Sequence, residues 1–275
     1  MKTPEAFPSF DDSFSALNQF ILELVRAYEA GNLKSWEDLE KKVNAFFTPE
    51  RMEQTESLVP GWQKMASYTE GITLVHVMCV FLGLFMLPEF RRLTPDQQQM
   101  AKWIVLFHDI AKIHIQGKKD TMHAFRSGVE TAKALPRFGF PTRLGFHERI
   151  GYWSNYTEQA FILRDGDTAP TPDNQKLPGI LIGIGNLFGK DTAAALITKT
   201  VLLHISLHID PHYPTPAALT DEEIKRFIHP NLFLLLRVMM LSDNEGWSLF
   251  QPETRAQRRR NADEAFERIE QIVLE

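Results

Sequence analysis

Residues 71–87 read Gly-Ile-Thr-Leu-Val-His-Val-Met-Cys-Val-Phe-Leu-Gly-Leu-Phe-Met-Leu, with no Asp, Glu, Lys or Arg among them. The run is barely long enough to span a bilayer and has no Lys or Arg at its start, so it reads as a buried core helix. Such a helix demands a sizeable interior. The chain has 275 residues, 44% of them hydrophobic, which is enough for one large core or a core with appended helices. His76 lies within the run, and an imidazole there needs a partner.

The remaining pattern is helical almost throughout. Phe14, Leu17, Phe20, Ile21, Leu24 and Val25 recur at helical spacing within residues 14–30, and Gly31-Asn32 follows as a stop. Ser35 can cap a second helix through Phe47, with Glu37 and Asp38 in its first turn. Thr94-Pro95-Asp96-Gln97 combines an N-cap, a first-turn proline and a capping box, and opens a helix through Ala101, Ile104, Val105 and Phe107. Asp120 is expected to cap a helix carrying His123, and Asp191 one from Thr192 to about Ile209. Thr220 and Glu223 form another capping box, residues 231–243 continue a helical pattern, and residues 256–275 form an amphipathic helix.

No alternating strand segment stands out. Residues 136–190, with Pro136, Pro141, Pro170, Pro172 and Pro178, read as the least regular part, and 165–174 as a loop that suits a lid or a plain surface connection. The expectation is an all-α chain in three parts. Residues 1–60 are a helical extension packed on the core, 61–250 the main domain with an irregular insert at about 136–190, and 251–275 a C-terminal helix.

A net charge of −5 and a pI near 6.0 leave no global positive field for nucleic acid or an anionic membrane. The single cysteine, Cys79, excludes an internal disulfide and a Cys-rich zinc site, which leaves the nine histidines as the ligand pool. The opening Met1-Lys-Thr-Pro-Glu-Ala-Phe-Pro has no apolar signal core, so a cytoplasmic location is expected. Arg255 and Arg258-Arg-Arg260 form a basic knot that reads as a solvated helix start or a partner contact. Gly179 to Gly189 is glycine-rich but lacks the Gly-Lys-Ser/Thr ending of a phosphate loop.

The chemistry gathers around His108-Asp109, in Trp103-Ile-Val-Leu-Phe-His-Asp-Ile-Ala-Lys112 at the end of an apolar helix. A divalent metal ion is the usual partner that takes an imidazole and a carboxylate together. Any one of these histidines taken singly is explained by an ordinary hydrogen bond in the core. His76, His108, Asp109 and Asp243 fall on three separate helical segments, so only a packed bundle can assemble them. His123, His204 and His208 are candidates for a second ion, and His204 and His208 share one helix face at i,i+4. Lys112 follows His108 by one turn and either faces the same pocket or is a solvated helix-end lysine. Arg126 is close enough along the His123 helix to meet an anion, and His147-Glu148 is a further candidate at a helix start. His114, His212 and His229 have no patterned support.

The order His76, His108-Asp-Ile-Ala-Lys112, further histidines, then Asp243 resembles the HD-domain superfamily of metal-dependent phosphohydrolases across roughly residues 70–247. Ala111 stands where that family usually has glycine. The resemblance implies an HD-like helical bundle binding one or two divalent transition ions (Mn, Fe, Ni, Co or Zn). The implied substrate is a small phosphomonoester or phosphodiester, most naturally a nucleotide, attacked by metal-activated water. It implies that Asp109 and Lys112 are catalytic, with Lys112 on a phosphate oxygen, and that His123 is the extra ligand of a binuclear site. A di-iron oxygenase on a similar fold uses the same ligand order, and a non-catalytic binding module is the third alternative. Exposed apolar faces on the terminal helices suit intramolecular packing or a homodimer.

Overall fold

A computed structural model of the chain describes residues 6–113, 120, 122–162, 171–172, 174–207 and 219–274. The described residues form an all-α bundle. The N-terminal part comprises α1 (Phe10–Ser13), α2 (Ser15–Glu29), α3 (Trp36–Phe46), α4 (Pro49–Leu58) and α5 (Trp62–Ser67). The central part follows with α6 (Ile72–Met86), α7 (Pro88–Arg92), α8 (Pro95–Phe107), α9 (His123–Ala134), α10 (Phe146–Glu158), α11 (Leu177–Phe188) and α12 (Ala193–Leu203). The chain closes with α13 (Asp221–Phe227), α14 (Pro230–Ser248) and α15 (Pro252–Leu274). The only strand pairing among the described residues is a two-residue antiparallel bridge, Phe161–Ile162 with Thr171–Pro172. No helix is long and apolar enough to cross a membrane among the described residues.

The uncharged run becomes α6, the centre of the molecule. It packs against α2, α3, α5, α8 and α14, and residues 73–84 are all buried. Its crossing with α14 is closest where each helix has a glycine. A Cβ on Gly83 would lie 2.3 Å from Glu245 Cβ, and one on Gly246 would lie 2.4 Å from Val80 Cγ2. Side chains at these positions would hold the backbones apart.

The N-terminal helices are joined to the core by α8. Gln99 Oε1 accepts from the Phe10 backbone N–H at 2.8 Å, and its Nε2 donates to Asp11 Oδ2 at 2.9 Å. Lys102 is buried, with Nζ 2.5 Å from Asp11 Oδ1, so its charge is paired. Trp103 Nε1 donates to the Pro8 carbonyl at 3.1 Å. Phe10, fully buried, packs on Phe14, Phe81 and Trp103 with ring centroids 5.3–5.8 Å apart. At the other end, the expected basic knot is partly consumed in packing. Arg255 Nε lies 2.5 Å from Glu245 Oε2, and Arg259 grips Glu89 and Asp263, tying α15 to α14 and α7.

Several expectations need correction. Within residues 136–190, expected to be the least regular part, α10 and α11 are regular helices. Pro178 lies in the first turn of α11, where a missing N–H does no harm, and Trp153 Nε1 of α10 donates to the Ile180 carbonyl at 2.9 Å. Most of the expected 165–174 loop lies outside the described residues. Thr192, not Asp191, caps α12, because its hydroxyl accepts from the Ala195 N–H while Asp191 pairs with His229 at 3.1 Å. That helix stops at Leu203, short of the expected Ile209.

Replacing Phe10 with alanine is expected to cost about 3–5 kcal/mol of stability through the cavity it leaves. Urea denaturation checks this, and an unshifted midpoint would mean that α1 is not part of the core.

Candidate metal centre

Six side chains converge where α6, α8, α9, α12 and α14 meet. His76 comes from α6, His108 is the C-cap of α8 with Asp109 next to it, His123 opens α9, His204 is the C-cap of α12, and Asp243 lies on α14. Helix ends suit this task, because the chain there can turn its side chains into a shared space. All except Asp243 are buried, and the Asp243 side chain keeps 26% exposure.

The six form two trios, His76 with His108 and Asp243, and Asp109 with His123 and His204. Within each trio the candidate ligand atoms lie within 4.8 Å of one another. Asp109 stands between them. Its Oδ2 is 3.6 Å from both His76 Nε2 and His108 Nε2, while its Oδ1 is 3.2 Å from His123 Nε2. His76 Nε2 lies 3.0 Å from Asp243 Oδ1. Each oxygen of one carboxylate therefore faces a different histidine group.

Hydrogen bonds behind the rings decide what the inner nitrogens offer. His108 Nδ1 is 2.8 Å from the Val105 carbonyl and His204 Nδ1 2.7 Å from the Val201 carbonyl, and His123 Nδ1 contacts the Asp120 carbonyl. A carbonyl only accepts, so in each neutral ring Nδ1 holds the proton and Nε2 presents a lone pair inward. Burial pulls the His108 and His123 pKa values from 6.5 down to about 4, which keeps both rings neutral at pH 7. His123 Nε2 then faces His204 Nε2 at 3.2 Å and Asp109 Oδ1 at the same distance. One proton can relieve one such contact, whereas a metal ion satisfies all three donors. His108 Nε2 and Asp109 Oδ1 make no hydrogen bond. These orphaned buried atoms fit a cation, and the neutral nitrogen and carboxylate oxygen set suits a divalent transition ion.

Burial by itself would raise the Asp109 pKa, but Lys112 and the surrounding histidines hold it well below the usual carboxylate range. Lys112 Nζ donates to Asp109 Oδ2 at 2.7 Å. Burial opposes the lysine's charge, yet Asp109 raises its pKa, so it remains a cation. Asp243 is likewise held low against the effect of burial, chiefly by the neighbouring His76.

The structure thus brings together His76, His108, Asp109, Lys112, His123, His204 and Asp243. His208, His114 and His212 lie outside the described residues. His147 is exposed on α10 and lies edge-on to Phe146, apart from both trios. Arg126 holds Asp120 and donates to the Ala111 carbonyl at 3.3 Å. Asp120 does not cap α9 as expected. Its carboxylate accepts from the Ile113 N–H at 2.8 Å and the Met122 N–H at 3.2 Å, so it links the backbone just after the His-Asp pair to the start of α9.

Two neighbours of the centre are not among the residues expected from the sequence. A Cβ on Gly246 would lie 2.8 Å from His76 Cε1, and the Trp247 ring stacks on His76 with centroids 4.0 Å apart. Their positions three and four residues after Asp243 put them on its helix face, which was the available signal. No family model matches the chain, and no curated protein and no solved structure matches it.

Asp109→Ala is expected to lose bound metal while keeping its helical circular dichroism; retained metal, read by elemental analysis, would remove Asp109 from the centre. A second expectation concerns pH in the metal-stripped protein. Buried neutral histidines gain protons on unfolding once the pH drops below 6.5, so stability falls progressively towards their folded value of about 4. The lowered carboxylates add to the loss below their ordinary value of 3.8. Denaturation in chelator across that window measures it, and a flat profile would contradict neutral buried rings.

Proposed function

We propose that this chain is a metal-dependent phosphohydrolase of the HD-domain type, acting on a small phosphoester. The observation that carries the reading is Asp109, whose two oxygens face two histidine groups while Lys112 stands beside it with part of its side chain exposed. His76, His108, Asp243 and Asp109 would hold one ion, and Asp109, His123 and His204 a second. When bound, such ions acidify water into a nucleophile near neutral pH and offset charge on phosphoryl oxygens.

The chain's own groups divide the remaining work. Lys112 and Arg126 are each paired with an aspartate and equally exposed, but only Lys112 is paired with a candidate ligand, Asp109. The position of Lys112 supports a contact to a phosphate oxygen, where positive charge matters most as charge develops. Asp109 is a permanent anion, better suited to holding cations than to taking up a proton. Cys79 is a poor nucleophile, because it is buried, burial pushes its thiol pKa far up, and Sγ points at the Glu245 carbonyl at 3.8 Å. Water is then the attacking group, and no covalent enzyme intermediate is needed.

A second reading, a di-iron oxygenase, is favoured by the ligand set itself, because four histidines and two aspartates around a shared carboxylate also suit iron. Lys112 argues for hydrolysis. The deciding measurement is metal content of the purified protein, followed by phosphoester hydrolysis with that metal. Lys112→Ala is expected to lower kcat/KM by about 100-fold with metal retained. Unchanged turnover would exclude the phosphate contact, and iron with substrate-dependent oxygen uptake would favour the oxygenase.

A further inference from the structure

Of the six candidate ligands, His123 is the one that stands in the first turn of its helix. Helix starts fray unless they are tied down, and Asp120 does the tying. Its backbone carbonyl contacts His123 Nδ1. Its buried carboxylate accepts from the Ile113 N–H at 2.8 Å, the Met122 N–H at 3.2 Å and the Arg126 guanidinium. Arg126 lies three residues after His123 on α9, and its Nε donates to the Ala111 carbonyl at 3.3 Å. The Ala111 N–H in turn donates to Ser127 Oγ at 3.2 Å. The stretch just after Asp109 and the first turns of α9 are therefore joined at both Ala111 and Ile113. The gap that this clamp closes runs from Asp109 Oδ1 to His123 Nε2, 3.2 Å.

The first trio is built without it. His76, His108 and Asp243 come from α6, α8 and α14, and the His108 ring has its own anchor in the Val105 carbonyl. Among the described residues, the hydrogen bonds of the Asp120 and Arg126 side chains reach Ala111, Ile113, Met122 and each other, and none reaches α6, α8 or α14. His204, in the second trio, is anchored separately on the Val201 carbonyl. We infer that Asp120 and Arg126 are positioning residues for the second ion alone: they hold His123 against Asp109, while the first ion is held without them. The inference rests on the two-ion assignment made above. Removing a group that orients a ligand histidine costs about 10–100-fold in metal affinity. The body of α9 does not depend on the clamp. It packs closely on α12, where a Cβ on Gly128 would lie 2.9 Å from Leu202 Cβ. Variants at 120 and 126 are therefore expected to keep the fold and lose the bite of one site.

The test titrates the metal-stripped chain with Co2+, reading ions bound per chain by elemental analysis and affinities by calorimetry. The wild type is compared with Asp120→Ala, Asp120→Asn, Arg126→Ala and His123→Ala, with helical circular dichroism measured in each. The wild type is expected to take up two ions. Asp120→Ala and Arg126→Ala are expected to bind one ion with unchanged affinity and the other about 10–100-fold more weakly. Asp120→Asn keeps an acceptor for a backbone N–H but loses the charge that faces Arg126, so it is expected to fall between them and the wild type. The double variant of Asp120→Ala with His123→Ala asks whether the clamp works through His123. It is expected to bind metal no more weakly than His123→Ala alone. Additive loss would make Asp120 a general support and overturn the inference. Equal weakening of both ions, unchanged binding, or a single ion in the wild type would overturn it as well.

Turnover of p-nitrophenyl phosphate and bis(p-nitrophenyl) phosphate by the same samples separates the clamp from the proposed activity. Selective loss of one ion, with neither ester hydrolysed by the wild type, would count against the phosphohydrolase reading and keep the clamp. Hydrolysis by the wild type, with Co2+ binding unchanged in Asp120→Ala, would keep that reading and remove the clamp.

Discussion

A carboxylate removed from water has to be answered by positive charge, and Asp109 is almost entirely removed from water. Lys112 supplies one answer at 2.7 Å. It leaves Oδ1 facing a histidine lone pair, and the histidines around the carboxylate are held neutral or aimed with their bare nitrogens inward. The arrangement is a set of acceptors gathered around too little positive charge. Such a set could hold a metal ion.

The surrounding bundle keeps these acceptors from relaxing apart. His108 and His204 sit at the C-caps of α8 and α12, with their rings fixed by carbonyls one turn back. His76 has no such anchor, and packing replaces it. Gly246 lets the α14 backbone press against one edge of the ring while Trp247 covers its face. Asp120 holds the start of α9 to Ile113 by collecting two backbone N–H groups and Arg126. Helices far from the centre contribute through α6 and α8, which carry both ligands and the contacts to the N-terminal helices. Loss of Phe10 therefore acts on the helices that hold the site as well as on global stability.

The all-α character is legible in the sequence, because the uncharged run of residues 71–87 and the capping boxes at Thr94 and Thr220 carry local physics: periodicity, caps and burial. So are the candidate ligands, as imidazoles and carboxylates placed in apolar runs where solvation fails them. Composition is what misleads. Prolines and glycines in residues 136–190 suggest irregular chain, yet proline in a first helical turn is harmless, and α10 and α11 are regular helices. Asp120 and Asp191 look like caps, since a short acidic side chain before a helix is the usual cap, but each finds a partner beyond its own helix.

The sequence by itself determined which groups need partners: His76 in an uncharged helix, the His108-Asp109 pair at a helix end, and Asp243 after an apolar run. Only the tertiary structure decided how they combine. Which oxygen of Asp109 meets which histidine, the joining of His204 to that cluster, the capture of Arg126 by Asp120 and the stacking of Trp247 on His76 all depend on helices distant in sequence crossing at one point. Side-chain spacing along one helix fixes a face, but the partner across that face is set by the packing of the whole bundle.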